Sequence, residues 1–533
     1  MEATSSFFDG DSPLLQLLGK WAYKAYEETD LIQMHTHLIL AALFPIFIGA
    51  HASLRRPPSA KAPVNEENED GEDDGIEKEP VVEGLTPSDA IMFPVLAGIT
   101  LAGLYFVIKW LKDPAILNKI LTWYFSALGV FGVGKLAGDS LNVATGFFFP
   151  SVWSSGEETY HVDQMLRKQL TGNANVARIQ QHRTIAGGKT NPLPGLLSNI
   201  KFSKSFTNKL WSLRAFLINK WIFRARVHGI CDHKSRVRLN DVMGLVLGLT
   251  AIILYNTIGK TWWLTNLIGF GFCYGTLQLL SPTTFWTGSL VLAGLFIYDI
   301  TMVFYTPLMV TVATTLDVPI KLVFPGPKRG GMLGLGDVVL PGIMMALALR
   351  FDLYLHYLRK QSSIPNKALV NDDQKPTRAV YEPSTTLWGE RFWTNPPKAT
   401  SEATIADGAR FSKVYFKASV VGYIFGMFAT LIVLNIFNHA QPALLYLVPG
   451  VLGALWGTAA YRGELTLIWN YTEDGSLDYY EPDSEQEKWE DEKKDGEKKK
   501  DEHAHHVFLF SLSEPKGKQS LGAELVLPGK KEE

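Results

Sequence analysis

The chain has 533 residues, and 51 Lys and Arg against 53 Asp and Glu give it a formal net charge of −2 at pH 7. The near-neutral total hides a segregation of charge, with an acidic excess at 66–83 and 482–502 and a basic excess at 161–238. We expect no nucleic-acid partner. Only two cysteines are present, Cys231 and Cys273, which excludes a disulfide framework and a CxxC metal pair.

The apolar residues collect in blocks of about twenty, which is the length that a helix needs to cross a bilayer. The mean hydropathy is only +0.05 because long polar connections dilute these blocks. We therefore predict an all-α polytopic membrane protein with nine transmembrane helices. In chain order, the predicted spans are His37–Leu54, Ala90–Trp110, Ile116–Leu136, Val242–Tyr255, Trp262–Leu280, Trp286–Tyr305, Leu335–Leu355, Val414–Ile436 and Ala443–Tyr461.

The connections between the blocks carry most of the charge. An acidic loop at 55–88 follows the first span, a basic insert at 139–240 follows the third, and a net basic loop at 359–410 follows the seventh. Within the insert, Phe202–Val227 interleaves aromatic and basic residues. This pattern indicates a helix that either lies on the membrane surface or packs, as a cytosolic helix, on the rest of the protein.

Lysine and arginine in the connections predict how the spans are oriented. The basic insert and the second basic loop fall on one side of a nine-span chain, together with Arg55 and Arg56. That side is predicted to be cytosolic, so the N-terminus is predicted to be lumenal and the charged tail cytosolic. Within the tail, Val507–Leu512 has the pattern of a short strand.

The chain ends Lys530-Lys531-Glu532-Glu533, which places lysines at the third and fourth positions from the C-terminus. This ending resembles the dilysine retrieval signal of endoplasmic-reticulum membrane proteins, which coatomer reads on the cytosolic side. The alternative is a chance end to a tail that is rich in Lys and Glu. We expect a multi-pass protein of the endoplasmic-reticulum membrane, with coatomer as a partner.

Two carboxylates lie inside apolar blocks, Asp299 in the sixth span and Asp337 near the start of the seventh. An ionised Asp at mid-bilayer costs roughly 3 kcal/mol, so a pair in successive spans indicates a functional site. Two facing carboxyls in a low-dielectric site share one proton, and together they can activate a water and polarise a carbonyl. Taken singly, each Asp could instead end a helix or form a structural ion pair.

Small residues accompany these carboxylates. Gly334 and Gly336 precede Asp337 and would let a substrate backbone come close, although ordinary helix packing explains Gly-x-Gly equally well. Pro442-Ala443-Leu444 opens the ninth span, where a proline in the first turn is also a plain helix start.

Three motifs together resemble the signal peptide peptidase branch of the intramembrane aspartyl proteases, the clan that also contains presenilin. They are Tyr298-Asp299, Gly334-Leu335-Gly336-Asp337 and Gln441-Pro442-Ala443-Leu444, which occur in the expected order and spans. The likeness extends over about 260–355 and 441–450. The inserts at 152–235 and 359–410 and the tail beyond 462 depart from the compact family core.

The resemblance implies an intramembrane endopeptidase that cleaves remnant signal peptides and some type II or tail-anchored membrane proteins. Asp299 and Asp337 are then the catalytic pair, while the neighbouring motif residues Tyr298, Gly334, Leu335, Gly336, Pro442, Ala443 and Leu444 bind substrate. No metal or organic cofactor and no obligatory partner subunit is implied. We further hypothesise that Leu322, Val323 and Phe324 offer strand-edge groups to an unwound substrate, the alternative being a buried loop.

This interpretation divides the chain into a lumenal segment at 1–36, spans one to four at 37–260, a catalytic core at 261–461 and a cytosolic tail at 462–533. Signal peptides, single-span membrane proteins and the bilayer are the expected partners, with self-association and components of a degradation machinery left open. Two other functions compete. One is a catalytically silent scaffold that binds signal peptides, and the other is a proton-coupled transporter, for which we find no internal repeat.

Overall fold

The structure is a computed structural model, and it describes residues 29–61, 83–111, 115–155, 158–164, 166–171, 189–227, 231–316, 318–325, 331–362, 379–381, 388–394, 410–437, 441–473 and 508–513. The helices within these ranges are α1 Thr29–Ala52, α2 Pro87–Leu111, α3 Ala115–Phe148, α4 Lys204–Ile218, α5 Leu239–Thr257, α6 Trp262–Leu279, α7 Phe285–Phe304, α8 Leu308–Thr315, α9 Gly336–Ser362, α10 Val414–Phe437, α11 Leu444–Arg462 and α12 Leu465–Asn470. A single 3₁₀ turn covers Gly195–Asn199.

The strands in the described ranges are short. They are β1 Glu83–Leu85, β2 Val152–Ser155, β3 Glu158–Asp163, β4 Lys168–Thr171, β5 Lys220–Val227, β6 Cys231–Arg238, β7 Leu280–Pro282, β8 Lys321–Phe324, β9 Gly331–Gly334 and β10 Phe508–Ser513. They form four small sheets, with strand orders β1-β7, β8-β9, β2-β3-β4 and β10-β5-β6. Only the β1–β7 pair is parallel.

In the described ranges, eight helices are long and apolar enough to cross a membrane. They correspond to eight of the nine predicted spans, so the chain has the predicted architecture of a polytopic helical membrane protein. The fifth predicted span forms helix α6, which carries the polar residues Asn266 and Gln278 and is not among the eight. The count of nine therefore stays a prediction.

Helix α3 is longer than the predicted span Ile116–Leu136, because it continues to Phe148. Its extension is held by side-chain hydrogen bonds to the start of α5. Asn142 Nδ2 donates to Asp241 Oδ1 at 3.1 Å, and Asn240 Nδ2 donates to Thr145 Oγ1 at 2.9 Å. At about 1.5 Å per residue the helix is about 50 Å long, against roughly 30 Å for the hydrocarbon core.

The chain divides into two compact units. The first comprises 1–137, 244–387 and 404–478, and the second comprises 138–243, 388–403 and 479–533. We call them the membrane unit and the insert unit. The four-region division predicted from the sequence stays a prediction.

Helix α9 is the centre of the membrane unit. Of its most apolar stretch 89% is buried, against 39% or less for the other seven candidate spans. The residues from Met344 to Leu349 are at most 1% exposed. Protein rather than lipid therefore surrounds this helix, and its first turn carries Asp337.

Helices α10 and α11 cross at very short range through glycines. A Cβ atom added at Gly422 would collide with the carbonyl oxygen of Gly450, and one at Gly426 would lie 2.7 Å from the carbonyl oxygen of Tyr446. Small residues allow such backbone contact between membrane helices. The close crossing fixes where the first turn of α11 lies.

Polar residues in the second half of α9 are buried, and each is paired with a polar or charged group. Asp352 caps α10 from outside that helix, since its two oxygens accept hydrogen bonds from the backbone N–H of Tyr415 at 3.2 Å and of Phe416 at 2.9 Å. Arg350 contacts Glu473 at 2.5 Å between Nε and Oε1, and Arg55 reaches the same oxygen at 2.6 Å.

The insert unit has a core of its own. Strands β2, β3 and β4 form an antiparallel sheet, on which Trp153 stacks against Tyr160 with ring centroids 4.4 Å apart. Trp211 of α4 joins this core and is 1% exposed. The indole N–H of Trp153 donates to Gln169 Oε1 at 3.0 Å, so the buried amide is also paired.

The predicted single helix over Phe202–Val227 is wrong beyond Ile218. Helix α4 ends there, and strand β5 begins at Lys220. Trp221, Phe223 and Ala225 occupy alternate positions of β5, which is the period of a strand rather than a helix. The predicted strand in the tail is confirmed as β10, which pairs antiparallel with β5.

Glu464 joins three helix ends of the membrane unit and gives a test of its packing. It accepts hydrogen bonds from the Tyr415 hydroxyl at 2.6 Å, Arg359 Nη2 at 3.0 Å and Arg462 Nε at 3.0 Å. Burial raises the pKa of Glu464, but these hydrogen bonds and arginine charges outweigh burial and leave the pKa below its ordinary value. The carboxylate therefore stabilises the fold above the unfolded-state pKa, and that contribution is lost as the pH falls through the folded-state pKa.

We expect Glu464→Gln to lower the melting temperature of the detergent-solubilised protein at pH 7. The difference from wild type should shrink as the pH falls through the lowered folded-state pKa of Glu464, below which the wild-type carboxyl is also neutral. Thermal unfolding of both proteins across this pH range measures the effect. A difference that stays constant with pH would mean that the charge of Glu464 does not stabilise the packing.

Candidate active site

Asp299 lies three-quarters of the way along α7 and is 3% exposed. Its carboxylate accepts a hydrogen bond from the backbone N–H of Leu444, at 3.1 Å from Oδ2. Leu444 is the first residue of α11, where the backbone N–H has no partner within the helix. A helix start thus supplies the donor that holds a buried carboxylate.

Asp337 lies in the first turn of α9 and is half-buried. Negative charge is favoured at this position by the free N–H groups and the dipole of the helix. Asp299 and Asp337 lie within electrostatic range of each other. The structure thus brings together the two carboxylates that the sequence analysis paired.

The glycines before Asp337 lie at a junction between a strand and a helix. Gly334 ends β9 and Gly336 begins α9, so they do not form a helix-packing surface. A Cβ atom at Gly334 would lie 3.4 Å from Asp337 Oδ2, whereas one at Gly336 would meet nothing within 4 Å. The space beside the carboxylate is open because these side chains are missing.

The third motif, Pro442-Ala443-Leu444, is positioned by the start of helix α11. Pro442 is buried, and its carbonyl accepts the N–H of Leu445 at 3.2 Å, while the Ala443 carbonyl accepts the N–H of Tyr446 at 3.1 Å. These two bonds close the first turn of α11 and direct the Leu444 N–H at Asp299. The motif therefore contacts the carboxylate through its backbone.

The segment between the two carboxylates forms an antiparallel hairpin of β8 and β9. Leu322 is opposite Leu333, and Val323 is opposite Met332. The predicted strand character of Leu322, Val323 and Phe324 is therefore present, but Leu322 is fully buried. The hairpin ends one residue before α9 begins.

The outer edge of β8 is already occupied at Val323. The side-chain amide of Asn266, from α6, donates to the Val323 carbonyl at 2.9 Å and accepts the Val323 N–H at 2.8 Å. Because backbone groups alternate between the two edges of an antiparallel strand, Val323 and its partner Met332 both point their backbone groups away from each other. The outer edge of β9 is thus formed by the backbone groups of Met332 and Gly334.

That outer edge of β9 has no backbone or side-chain partner among the residues that the structure describes. The Met332 side chain is 59% exposed. Hence the open strand edge next to Asp337 belongs to β9, and not to the segment 322–324 that the sequence indicated.

The remaining predicted residues lie around this centre. Tyr298 is half-buried on the side of α7 that packs against Gly98 of α2. Leu335 is buried against Gly269 of α6, and its N–H donates to the Ile320 carbonyl at 3.0 Å. Lys530 and Lys531 lie outside the described residues.

Two residues at the site were not predicted from the sequence. Asn266 is one of a few polar residues in a largely apolar helix, and nothing in its spacing indicates a partner 57 positions away. Tyr423 of α10 is fully buried, and its hydroxyl donates to the backbone carbonyl of Asp337 at 3.4 Å. Within the described ranges, no group of three or more His, Cys, Asp and Glu is arranged to hold a metal ion.

Comparison with known proteins identifies the family of the chain. The family model described as signal peptide peptidase matches residues 77–475. The human signal peptide peptidase is 29% identical over 454 residues, covering 83% of this chain and 84% of its own length. Intramembrane protease 2 of Caenorhabditis elegans is 34% identical over 247 residues, which are 45% of this chain and 44% of its own. A probable intramembrane protease of Saccharomyces cerevisiae is 26% identical over 415 residues, or 72% of this chain and 60% of its own. The chain belongs to the signal peptide peptidase family.

Proposed function

We propose that the protein is an intramembrane aspartyl endopeptidase with Asp299 and Asp337 as its catalytic residues. The observation that carries the proposal is the buried Asp299, held by the start of α11 within electrostatic range of Asp337. Two carboxylates are costly to place inside a membrane unit, and this cost favours a functional role for them. Membership of a family of intramembrane proteases supports that use.

In the proposed reaction the two carboxyls share one proton and bind a water between them. The ionised carboxylate takes a proton from the water, whose oxygen attacks the carbonyl carbon of the scissile bond. The protonated carboxyl donates to the carbonyl oxygen, which gives a neutral tetrahedral diol. Collapse of the diol breaks the C–N bond and transfers a proton to the leaving nitrogen, which restores the shared proton.

A helical substrate must unwind before it can react, because its peptide bonds are otherwise buried in its own hydrogen bonds. The freed backbone groups then need partners inside the membrane. We infer that the outer edge of β9 supplies them, since the backbone groups of Met332 and Gly334, just before Asp337, have no partner among the described residues. A substrate strand on this edge would lead its backbone past the open space at Gly334.

Proline substitutions distinguish this edge from that of β8. Met332→Pro removes an outward N–H from β9 without removing a β8–β9 hydrogen bond, so we expect a loss of cleavage of at least about tenfold. Lys321→Pro removes an outward N–H from β8 and is the matched control, with cleavage retained. The measurement is the initial rate on a membrane-embedded peptide. The opposite order of effects would assign the substrate to the segment 322–324.

The proposed substrates are the transmembrane segments of remnant signal peptides and of some type II or tail-anchored membrane proteins. The signal peptides rest on the name of a relative, the human signal peptide peptidase. The other substrate classes rest on the resemblance of the sequence motifs to the family. We further propose residence in the endoplasmic-reticulum membrane, with a lumenal N-terminus and a cytosolic tail. The dilysine Lys530-Lys531 and its recognition by coatomer support this location. Self-association and contact with a degradation machinery are parts of the same proposal.

The experiment that tests the proposed activity uses purified, detergent-solubilised protein and a synthetic signal peptide. Cleavage that a transition-state-analogue inhibitor of aspartyl proteases blocks would support the proposal. Binding of the peptide without cleavage would instead support a scaffold. Proton-coupled uptake by reconstituted vesicles, without cleavage, would support a transporter.

A further inference from the structure

One surface of the insert unit is apolar, basic and uncovered. It consists of the 3₁₀ turn at Gly195–Asn199 and the outer face of α4. Six large apolar residues on it are between 45% and 89% exposed, namely Leu196, Leu197, Ile200, Phe206, Leu213 and Phe216. So large an exposed apolar set marks an interaction surface rather than a solvated one.

Helix α4 has two distinct faces. Trp211 and Arg214 are buried, and Arg214 Nη1 donates to Gln164 Oε1 at 2.7 Å, so this face holds the helix on the insert unit. Phe206, Leu213 and Phe216 are spaced at i, i+7 and i+10, which places them on one stripe of the opposite side. The exposed stripe is therefore not needed to fold the unit.

Basic residues interrupt the apolar set. Lys201, Lys204 and Lys209 are exposed, and within the part of the chain that the structure describes none of them forms an ion pair. From Thr190 to Cys231 the sequence contains seven Lys and Arg and no Asp or Glu. Within the described residues the surface thus combines apolar side chains with lysines that have no acidic partner, which is the combination that binds an anionic lipid surface.

The chain connections of the insert unit bring it to a bilayer. Its first residues continue α3 and its segment before 244 opens α5, and both helices are apolar enough to cross a membrane. Because the unit is covalently connected to these helices, it does not have to diffuse to a bilayer, and a lipid surface is always within its reach.

We propose that the outer face of α4 and the preceding 3₁₀ turn insert into the headgroup region of the bilayer, with their lysines on anionic phospholipid headgroups. The aromatic and leucine side chains enter the acyl boundary, and Lys201 and Lys209 contact phosphate or carboxylate groups above it. The insert unit is thereby anchored to the membrane at a second place, besides its connecting helices. An acidic protein segment is the competing occupant.

Photo-crosslinking of the full-length protein tests this proposal. Phe206 is replaced by p-benzoylphenylalanine, and Asn208, exposed on the same helix but about 160° around it, is replaced in the same way as a matched control. The proteins are reconstituted in nanodiscs of phosphatidylcholine, alone or mixed equally with phosphatidylserine, irradiated and analysed by mass spectrometry. We expect a lipid adduct at position 206, at least about fivefold above position 208, with a higher yield in the anionic discs.

The variant Lys201→Gln, Lys209→Gln should reduce the adduct at 206 in anionic discs by at least about fivefold and leave the yield in neutral discs unchanged. A cross-link from position 206 to a peptide would overturn the proposal in favour of a protein occupant. Equal lipid adducts at 206 and 208, or none at 206, would also overturn it. None of these readouts depends on proteolysis, so the test stands apart from the proposed activity.

Discussion

Replacing Asp299 or Asp337 by Asn should each reduce the rate of peptide cleavage by about 10³-fold or more. Asn has nearly the same shape, so the fold remains, but it can neither take a proton from water nor share one with the other carboxyl. The double variant should be no worse than either single one, because the pair acts as a unit. Initial rates on a synthetic signal peptide, per mole of folded protein, measure the effect.

Asp352→Asn is the control for this prediction. Asp352 is also a buried carboxylate of α9, but it accepts the N–H groups of Tyr415 and Phe416 at the start of α10. Its amide variant loses one of two hydrogen bonds and should be less stable, yet it should cleave at the wild-type rate per folded molecule. Cleavage by Asp299→Asn at a rate close to wild type would rule out the proposed pair.

Removing Glu473 should have the largest effect on stability. Arg350 is 4% exposed, and its guanidinium contacts Glu473 and donates to Ser53 Oγ and Ser281 Oγ, each at 2.7 Å. Glu473→Ala would leave a buried cation without its counter-charge, which costs roughly 3–5 kcal/mol. We expect strongly reduced thermal stability and poor yield of folded protein.

The double variant Arg350→Met, Glu473→Leu removes both charges and should recover most of the loss, because apolar residues of similar size replace buried ion pairs at little cost. Arg55 is 23% exposed at its side chain and can turn to water once Glu473 is gone. Unfolding in mixed micelles compares the three proteins. A double variant as unstable as Glu473→Ala would mean that packing, and not charge pairing, explains the effect.

The sequence predicts the helices of the membrane unit well because bilayer thickness dictates a long apolar block. Asp299 and Asp337 were predictable for the same reason, since a carboxylate stands out against such a block. The predicted helix over Phe202–Val227 is wrong beyond Ile218 because Phe, Trp and Lys occur in both helices and strands. The period-two alternation of Trp221, Phe223 and Ala225 was nevertheless a usable signal for β5.

The strand edge that we propose for substrate binding could not be predicted from the sequence. It depends on Asn266, which binds both backbone groups of Val323 and so occupies the outer edge of β8. A contact between a helix side chain and a distant strand leaves no periodic pattern. The backbone hydrogen bond from Leu444 to Asp299 is equally hidden, because it depends on where α11 begins and not on the leucine side chain.

The most direct test of the account is an experimental structure with a bound peptide that carries a hydroxyl-containing isostere of the scissile bond. We expect the hydroxyl to lie within hydrogen-bonding distance of both Asp299 and Asp337. We also expect the peptide backbone to extend along β9, paired with Met332 and Gly334. A hydroxyl remote from either carboxylate would contradict the catalytic pair, and a peptide paired along β8 would contradict the assigned edge.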